Sequence, residues 1–317
     1  AQAWGGGEDA FLSALDELHE RRIVRDHGTD RYDFSHDKIR EVALASIGTA
    51  RRVALHRRIA GALEQVHASE LDGVSGQIAA HHEQAGDSLA AVRYLLRLAG
   101  TRRAVYAHRE ALSTIRHAVS LLDNLPGAPD GAAELAWVCH EDLADTLELL
   151  GYHDDALAAY DRALDSAGSD RHRVRARLLR KGAEPLRIQH RSAEALARLA
   201  RAETALGPVA CARDADWWSE WVELQLDRMQ LLYYDGCEAE LRSEVQRVRE
   251  RIEAHGTFPQ RVAMFRTLLQ ESYLREGYIG SDAQLVLARQ ALGASEQSGG
   301  TDAIAFAKFG LGFVLWQ

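Results

Sequence analysis

Between residues 141 and 165 the chain reads EDLADTLELLGYHDDALAAYDRALD, with small and large residues at set positions. Leu143 and Ala144 precede Gly151, and Ala156, Tyr160 and Ala163 follow it. A glycine lets the backbone reverse between two helices. The alanines let helix axes approach closely, and the tyrosine fills the hole between them. Looser copies surround this unit: Ala79, Gly86, Ala91 and Leu95 before it, then Ala183, Ala195, Leu199 and Ala202. A third copy places Gly236 at the turn, with Leu241, Val245 and Val248 in the small-large-small positions. A helix pair of this kind cannot bury its own apolar face, so it must stack on its neighbours.

These are the positions of a tetratricopeptide (TPR) repeat. The 39-residue step from Ala156 to Ala195 exceeds the usual period of about 34 and implies lengthened helices. The expected fold class is all-α: a TPR-like α-α superhelix, or solenoid, preceded by a helix, a β-hairpin and a further helix. Periodicity places helices near 76–85, 88–105, 107–122, 132–150, 154–167, 171–188, 192–206, 215–235, 238–254, 259–276, 282–297 and 302–317. Pro126 and Pro129 interrupt helix formation in a linker at 123–131. Near the start, residues 8–21 read as a helix through Phe11, Leu12, Leu15 and Leu18. The runs RIVRD and RYDFS then flank the turn HGTD as a hairpin. Ser35 is expected to cap the next helix and Thr49 the one after. The domain reading is 1–48, a helical linker with degenerate repeats at 49–122, the linker at 123–131, and repeats over 132–317. The opening AQAWGGGEDA reads as a cloning scar or a domain edge, and FGLGFVLWQ stops inside an apolar helical pattern, so a piece of a larger protein is expected.

Composition excludes several function classes. A formal net charge of −9 argues against a general nucleic-acid or membrane-surface binder. All but three of the 38 basic residues are arginine, which reflects codon usage rather than function. Cys139, Cys211 and Cys237 are widely spaced, as suits a reducing, cytoplasmic setting without a disulfide framework or a zinc site. No apolar run approaches the roughly 18–20 residues needed to span a bilayer.

The stretch YDFSHDKIREVALASIGTARRVALHRRIAGALE, with AAHHEQAGDSLAAVRYLLRLAG and the later WVELQLDRMQLLYYDG, resembles large bacterial STAND-type regulators. These are signal-transduction ATPases with numerous domains, among them LuxR-type and SARP-type transcriptional activators. The resemblance is specific over the first 120 residues and looser beyond. It implies that residues 8–47 end a winged helix with its wing at 22–34, and that the repeats form a sensor region following an ATPase core. No GxxxxGK[ST] motif is present, so the phosphate cradle of that core is absent from this chain.

The candidate sites divide accordingly. Arg22, Arg25 and Arg31 could touch DNA phosphates, but residues 1–66 carry 10 basic and 11 acidic side chains, which favours intramolecular packing. Arg51, Arg52, Arg57 and Arg58 on one helix suit either a contact with the missing ATPase domain or a solvated face. His36 reads as bonded to the backbone at the wing. The adjacent His81 and His82 point about 100° apart on a helix and lack ligand spacing, so neither metal nor catalytic chemistry is expected. Glu141, Asp145 and Glu148 share one helix face, and Arg177, Arg180 and Arg187 share the corresponding face of the next first helix. They form either a recognition groove or ion pairs between repeats. Trp217, Trp221, Leu224 and Leu231 on one stripe, with Trp218, Val222, Met229 and Tyr233 on another, describe a helix packed on both sides; Trp218 and Tyr233 are the aromatic recognition candidates. The expected function is non-catalytic, without cofactor: a protein partner or small effector binds in the TPR groove and controls ATPase and output domains elsewhere. A standalone scaffold for complex assembly is the alternative.

Overall fold

The computed structural model describes residues 7–26, 28, 32–211, 214–298 and 300–317. What shapes it is a turn that recurs after successive helices. The helices are α1 (Glu8–Glu20), α2 (Asp37–Ser46), α3 (Thr49–Val66), α4 (Ser75–Gln84), α5 (Ser88–Ala104), α6 (His108–Asp123), α7 (Ala132–Leu149) and α8 (His153–Ser166). They continue with α9 (His172–Lys181), α10 (Ala183–Ile188), α11 (Ser192–Leu206), α12 (Ala215–Tyr234), α13 (Glu238–His255), α14 (Phe258–Glu276), α15 (Asp282–Ser298) and α16 (Thr301–Trp316). After α4, α5, α7, α10 and α12 one residue turns left-handed and the next N–H reaches back to a carbonyl five residues earlier. Tyr152 N donates to Leu147 O and Cys237 N to Leu232 O, each at 2.9 Å. This is a Schellman closure, which satisfies carbonyls the helix end would leave bare. Gly151 and Gly236 supply the left-handed residue in two of these turns. Tyr106 and His190 do so elsewhere, at φ 60° and 59°, although side chains disfavour that region.

The chain divides into two compact units, Ala1–Thr146 and Leu147–Gln317. In the first, α1 leads to a two-stranded antiparallel hairpin, β1 (Val24–Asp26) and β2 (Tyr32–Phe34), with Val24 opposite Phe34. Of the expected HGTD turn only Gly28 lies among the described residues, and Arg31 lies outside them. Ser35 does not cap α2. It continues the ladder, its N–H bonding Ile23 O at 2.9 Å and its hydroxyl bonding Arg22 O and Ile23 O. The extended His36 takes the N-cap place without a side-chain cap bond, and Gly48 rather than Thr49 precedes α3. Further along the first unit, a core formed by α4 to α7 joins Ala79, Val92, Leu95, Ala118, Leu135 and Cys139.

The second unit stacks helix pairs in the TPR manner. α9 packs on α11 and α12, α12 on α13 and α14, and α14 on α15, which packs on α16. Ala156, Tyr160, Ala163, Ala195, Leu199 and Ala202 are all buried, as their spacing implies. Helix 171–188, expected as one rod, breaks at Gly182 because Pro185 cannot donate to the carbonyl four residues before it. Arg198 fills the space there: a Cβ on Gly182 would lie 2.5 Å from its Nε. Trp217, Trp221, Val222, Leu224, Met229 and Leu231 are buried, so α12 is packed on both sides.

The turn geometry carries a test. His190 and Tyr106 are exposed, so H190G and Y106G should each stabilise by about 0.5–1 kcal/mol, the left-handed strain relieved less the entropy a glycine adds. G151A should cost about 1 kcal/mol, from backbone strain alone, because a Cβ there meets nothing within 4 Å. Urea midpoints decide it; a destabilised H190G would contradict the reading.

Candidate partner-binding surface

Arg180 is the anchor of the surface shared by α9, α10 and α12. It points from α9 onto α12, where its Nε lies 2.6 Å from Glu220 Oε1 and its Nη1 lies 2.9 Å from Asp227 Oδ2. The Arg180 and Glu220 side chains keep only 15% and 9% exposure. Burial alone would weaken the guanidinium, but the charges and hydrogen bonds of Glu220 and Asp227 outweigh it and hold the cation above its ordinary range. Asp227 behaves differently. Its side chain remains 44% accessible, yet protein atoms crowd it. Burial pushes its carboxyl up to about 6 against the pull of Arg180, with repulsion from Glu223 and Glu184 adding to the rise.

Along the same strip, Arg187 bonds Glu184 and lies 5.0 Å from the centre of the exposed Tyr234 ring. Arg173, at the other end, bridges Asp214 and Asp216, each at 3.3 Å. Further seams use the same device. Arg198 joins α11 to Asp161 on α8 at 2.8 Å and donates to Leu179 O on α9. Arg228 of α12 reaches Glu203 on α11 and Glu244 on α13.

The sequence candidates fall into distinct places. Glu141, buried, and Asp145, half-buried, lie on α7 in the first unit. In the second unit Glu148 accepts a hydrogen bond from Tyr160 at 3.0 Å, and half-buried Arg177 lies one turn before Arg180. Trp218 stacks on His255 with ring centres 3.8 Å apart and packs against the core edge. Tyr233 shares a hydroxyl–hydroxyl hydrogen bond of 3.1 Å with Tyr278. Glu220 and Asp227, the partners of Arg180, escaped sequence reasoning. Their signal was present: two carboxylates seven residues apart on a helix otherwise rich in tryptophan and leucine.

In the first unit His81 meets His56 of α3, Nδ1 to Nδ1 at 2.8 Å, whereas His82 bonds Glu64 at 2.9 Å. Burial lowers the basicity of His81, and the neighbouring imidazoles of His56 and His82 lower it further. Among the described residues no group of three or more His, Cys, Asp or Glu side chains could hold a metal ion. Burial pushes the Cys139 thiol up to about 12, so it is a core residue rather than a nucleophile. No helix among the described residues is long and apolar enough to cross a membrane.

Neither a family model nor a curated protein sequence matches the chain. Solved structures do match its fold. BtubC from P. vanneervenii aligns at TM-score 0.55 and 14% identity, over 80% of this chain and 94% of that one. Aspartyl phosphate phosphatase F from Bacillus subtilis aligns at 0.52 and 10%, over 98% and 81%. A signal transduction ATPase with numerous domains carrying a tetratricopeptide repeat sensor, from Pyrococcus horikoshii, aligns at 0.53 and 13%, over 96% of this chain and 42% of that protein. At these identities the likeness defines the fold alone: a TPR-like helical repeat.

Two outcomes test the electrostatics. R180M should cost about 3–5 kcal/mol by leaving Glu220 buried and unpaired, and R180M/E220M should recover most of it in a double-mutant cycle. An additive cycle would show that the pair does not couple the repeats. Asp227 should titrate near pH 6 by carboxyl NMR and move higher in R180Q. Its raised pKa means that the folded state binds the extra proton between the ordinary value near 3.9 and about 6. Asp227 therefore makes stability fall as pH rises through that window, and D227N should abolish that slope. A midpoint near the ordinary value would reverse the assignment.

Proposed function

We propose that this chain is the non-catalytic sensor and interaction region of a STAND-type ATPase, a bacterial transcriptional regulator of the LuxR or SARP kind. A protein partner docks on the strip running along α9, α10 and α12, and the outcome passes to ATPase and output domains elsewhere in the same protein. The observation that carries this reading is the strip itself. A buried Arg180–Glu220 pair fixes its geometry, while Arg187, Tyr234 and Asp227 stay accessible beside it. A cationic, aromatic and acidic group on a rigid floor is how a protein reads a polar partner. Arg177 lies one turn before Arg180 on α9, and Glu148, Trp218 and Tyr233 are further recognition candidates in the second unit, whereas Glu141 and Asp145 are candidates of the first unit taken by itself.

The fold likeness to a STAND protein with a tetratricopeptide repeat sensor supports the assignment. The order α1, β1, β2, α2 is compatible with the end of a winged helix. Exposed Arg51, Arg52, Arg57 and Arg58 on α3 suit an intramolecular contact with an ATPase domain. The domain reading at 1–48, 49–122, 123–131 and 132–317 belongs to the same proposal, as does a cytoplasmic setting.

R187E, Y234A and D145R in the full-length regulator should each abolish signalling while shifting the urea midpoint by the equivalent of about 0.5 kcal/mol or less. R201E, at an exposed position on α11, should change neither. Unchanged signalling in folded R187E and Y234A would remove the strip as the recognition site, and unchanged signalling in folded D145R would remove Asp145 from the candidates. The isolated chain should show no saturable ATP binding by calorimetry, since it has no phosphate loop; micromolar affinity would contradict its non-catalytic assignment.

A further inference from the structure

The second unit holds a cavity of about 330 Å³ between α14, α15 and α16, well away in sequence from the strip described above. Its walls are apolar. Ala263 of α14, Ala291 of α15, and Ala307 and Gly310 of α16 keep it open by being small, and the Phe306 ring forms one side. Ser295, which also lines it, spends its hydroxyl on Ala291 O at 2.8 Å. One charged residue among those described lines this space: Arg266, whose guanidinium lies 5.6 Å from the centre of the Phe306 ring, itself a wall of the cavity. Arg266 is accessible and makes no ion pair with a described residue.

We propose that this cavity binds a small amphipathic monocarboxylate, its hydrocarbon body between the small residues and its carboxylate on Arg266. The volume falls at the lower end of the range for small-molecule sites, and an apolar chamber with one oriented polar group is their usual composition. The fork of a guanidinium donates two parallel hydrogen bonds to a planar carboxylate. One cation beside otherwise apolar walls matches one negative charge. A phosphate dianion would leave its second charge unmatched, because Arg266 is the one described charged residue lining this cavity, and it would bring no hydrocarbon to the apolar walls. The Phe306 ring offers its π face to the guanidinium, which favours a cation beside the cavity wall. This inference does not depend on the sensor reading or on the α9–α12 strip.

Calorimetry of the whole chain with decanoate tests it, with decanol as the uncharged control. Decanoate should bind saturably at one site, and decanol about tenfold or more weakly. R266Q, which keeps side-chain length and removes the charge, should weaken decanoate about ten- to hundredfold and leave decanol unchanged. A291L, which fills the chamber, should abolish binding of both; helical circular dichroism and an unchanged melting midpoint would establish that these variants are folded. If A291L unfolds the chain, A307V reports the same steric block. Decanoate and decanol binding equally well, R266Q leaving the preference intact, or no saturable binding in the native chain would each overturn the proposal.

Discussion

Everything in this molecule depends on how closely its helices approach, and alanine sets that distance. Ala91, Ala99, Ala111 and Ala118 in the first unit, and Ala156, Ala163, Ala176, Ala195 and Ala202 in the second, are fully buried where helices cross. A methyl group leaves the backbones near the short end of the interaxial range, and a larger side chain at a crossing would force them apart or off rotamer. Close axes let one large residue per pair, such as Tyr160 or Trp221, fill what remains. The stack is thus an alternation of small contacts and large plugs. Each pair finishes its core only on its neighbour, which makes stability a sum of nearest-neighbour terms.

Arginine performs the complementary task at the seams. A long guanidinium side chain can leave one helix, cross a layer of alanine and meet a carboxylate on the next, while its methylenes cover apolar surface on the way. Arg180, Arg198 and Arg228 each do this between different helices. The arginine-rich composition, which carries no functional meaning as a count, becomes structural at these positions. The price is that a buried charge must keep its partner.

The local part of this architecture was legible in the sequence. The positions of Gly151, Ala156, Tyr160 and Ala163 state a helix pair outright, and the two apolar stripes on 217–233 describe a helix covered on both sides. Helix limits follow from period, glycine and proline, and most agree within a residue or two. What was hidden is what depends on distant chain. Arg180 finds Glu220 and Asp227 forty and forty-seven residues away, and no periodicity announces a partner at that range. Ser35 has the right identity for a cap, but strand pairing reached its hydroxyl first. The break at Gly182 had a local signal in Pro185, but the Arg198 side chain that packs against it comes from sixteen residues further along the chain. The His56–His81 pair likewise joins residues from separate helices.

The seam at Arg180 also has a mechanical meaning. Sliding α12 along α9 by one helical turn, about 5.4 Å, would part the guanidinium from both carboxylates and strand charges in a poorly hydrated layer. Slippage is therefore steeply resisted, whereas small tilts that keep the bonds are not. The Arg180 seam is accordingly a register lock between α9 and α12.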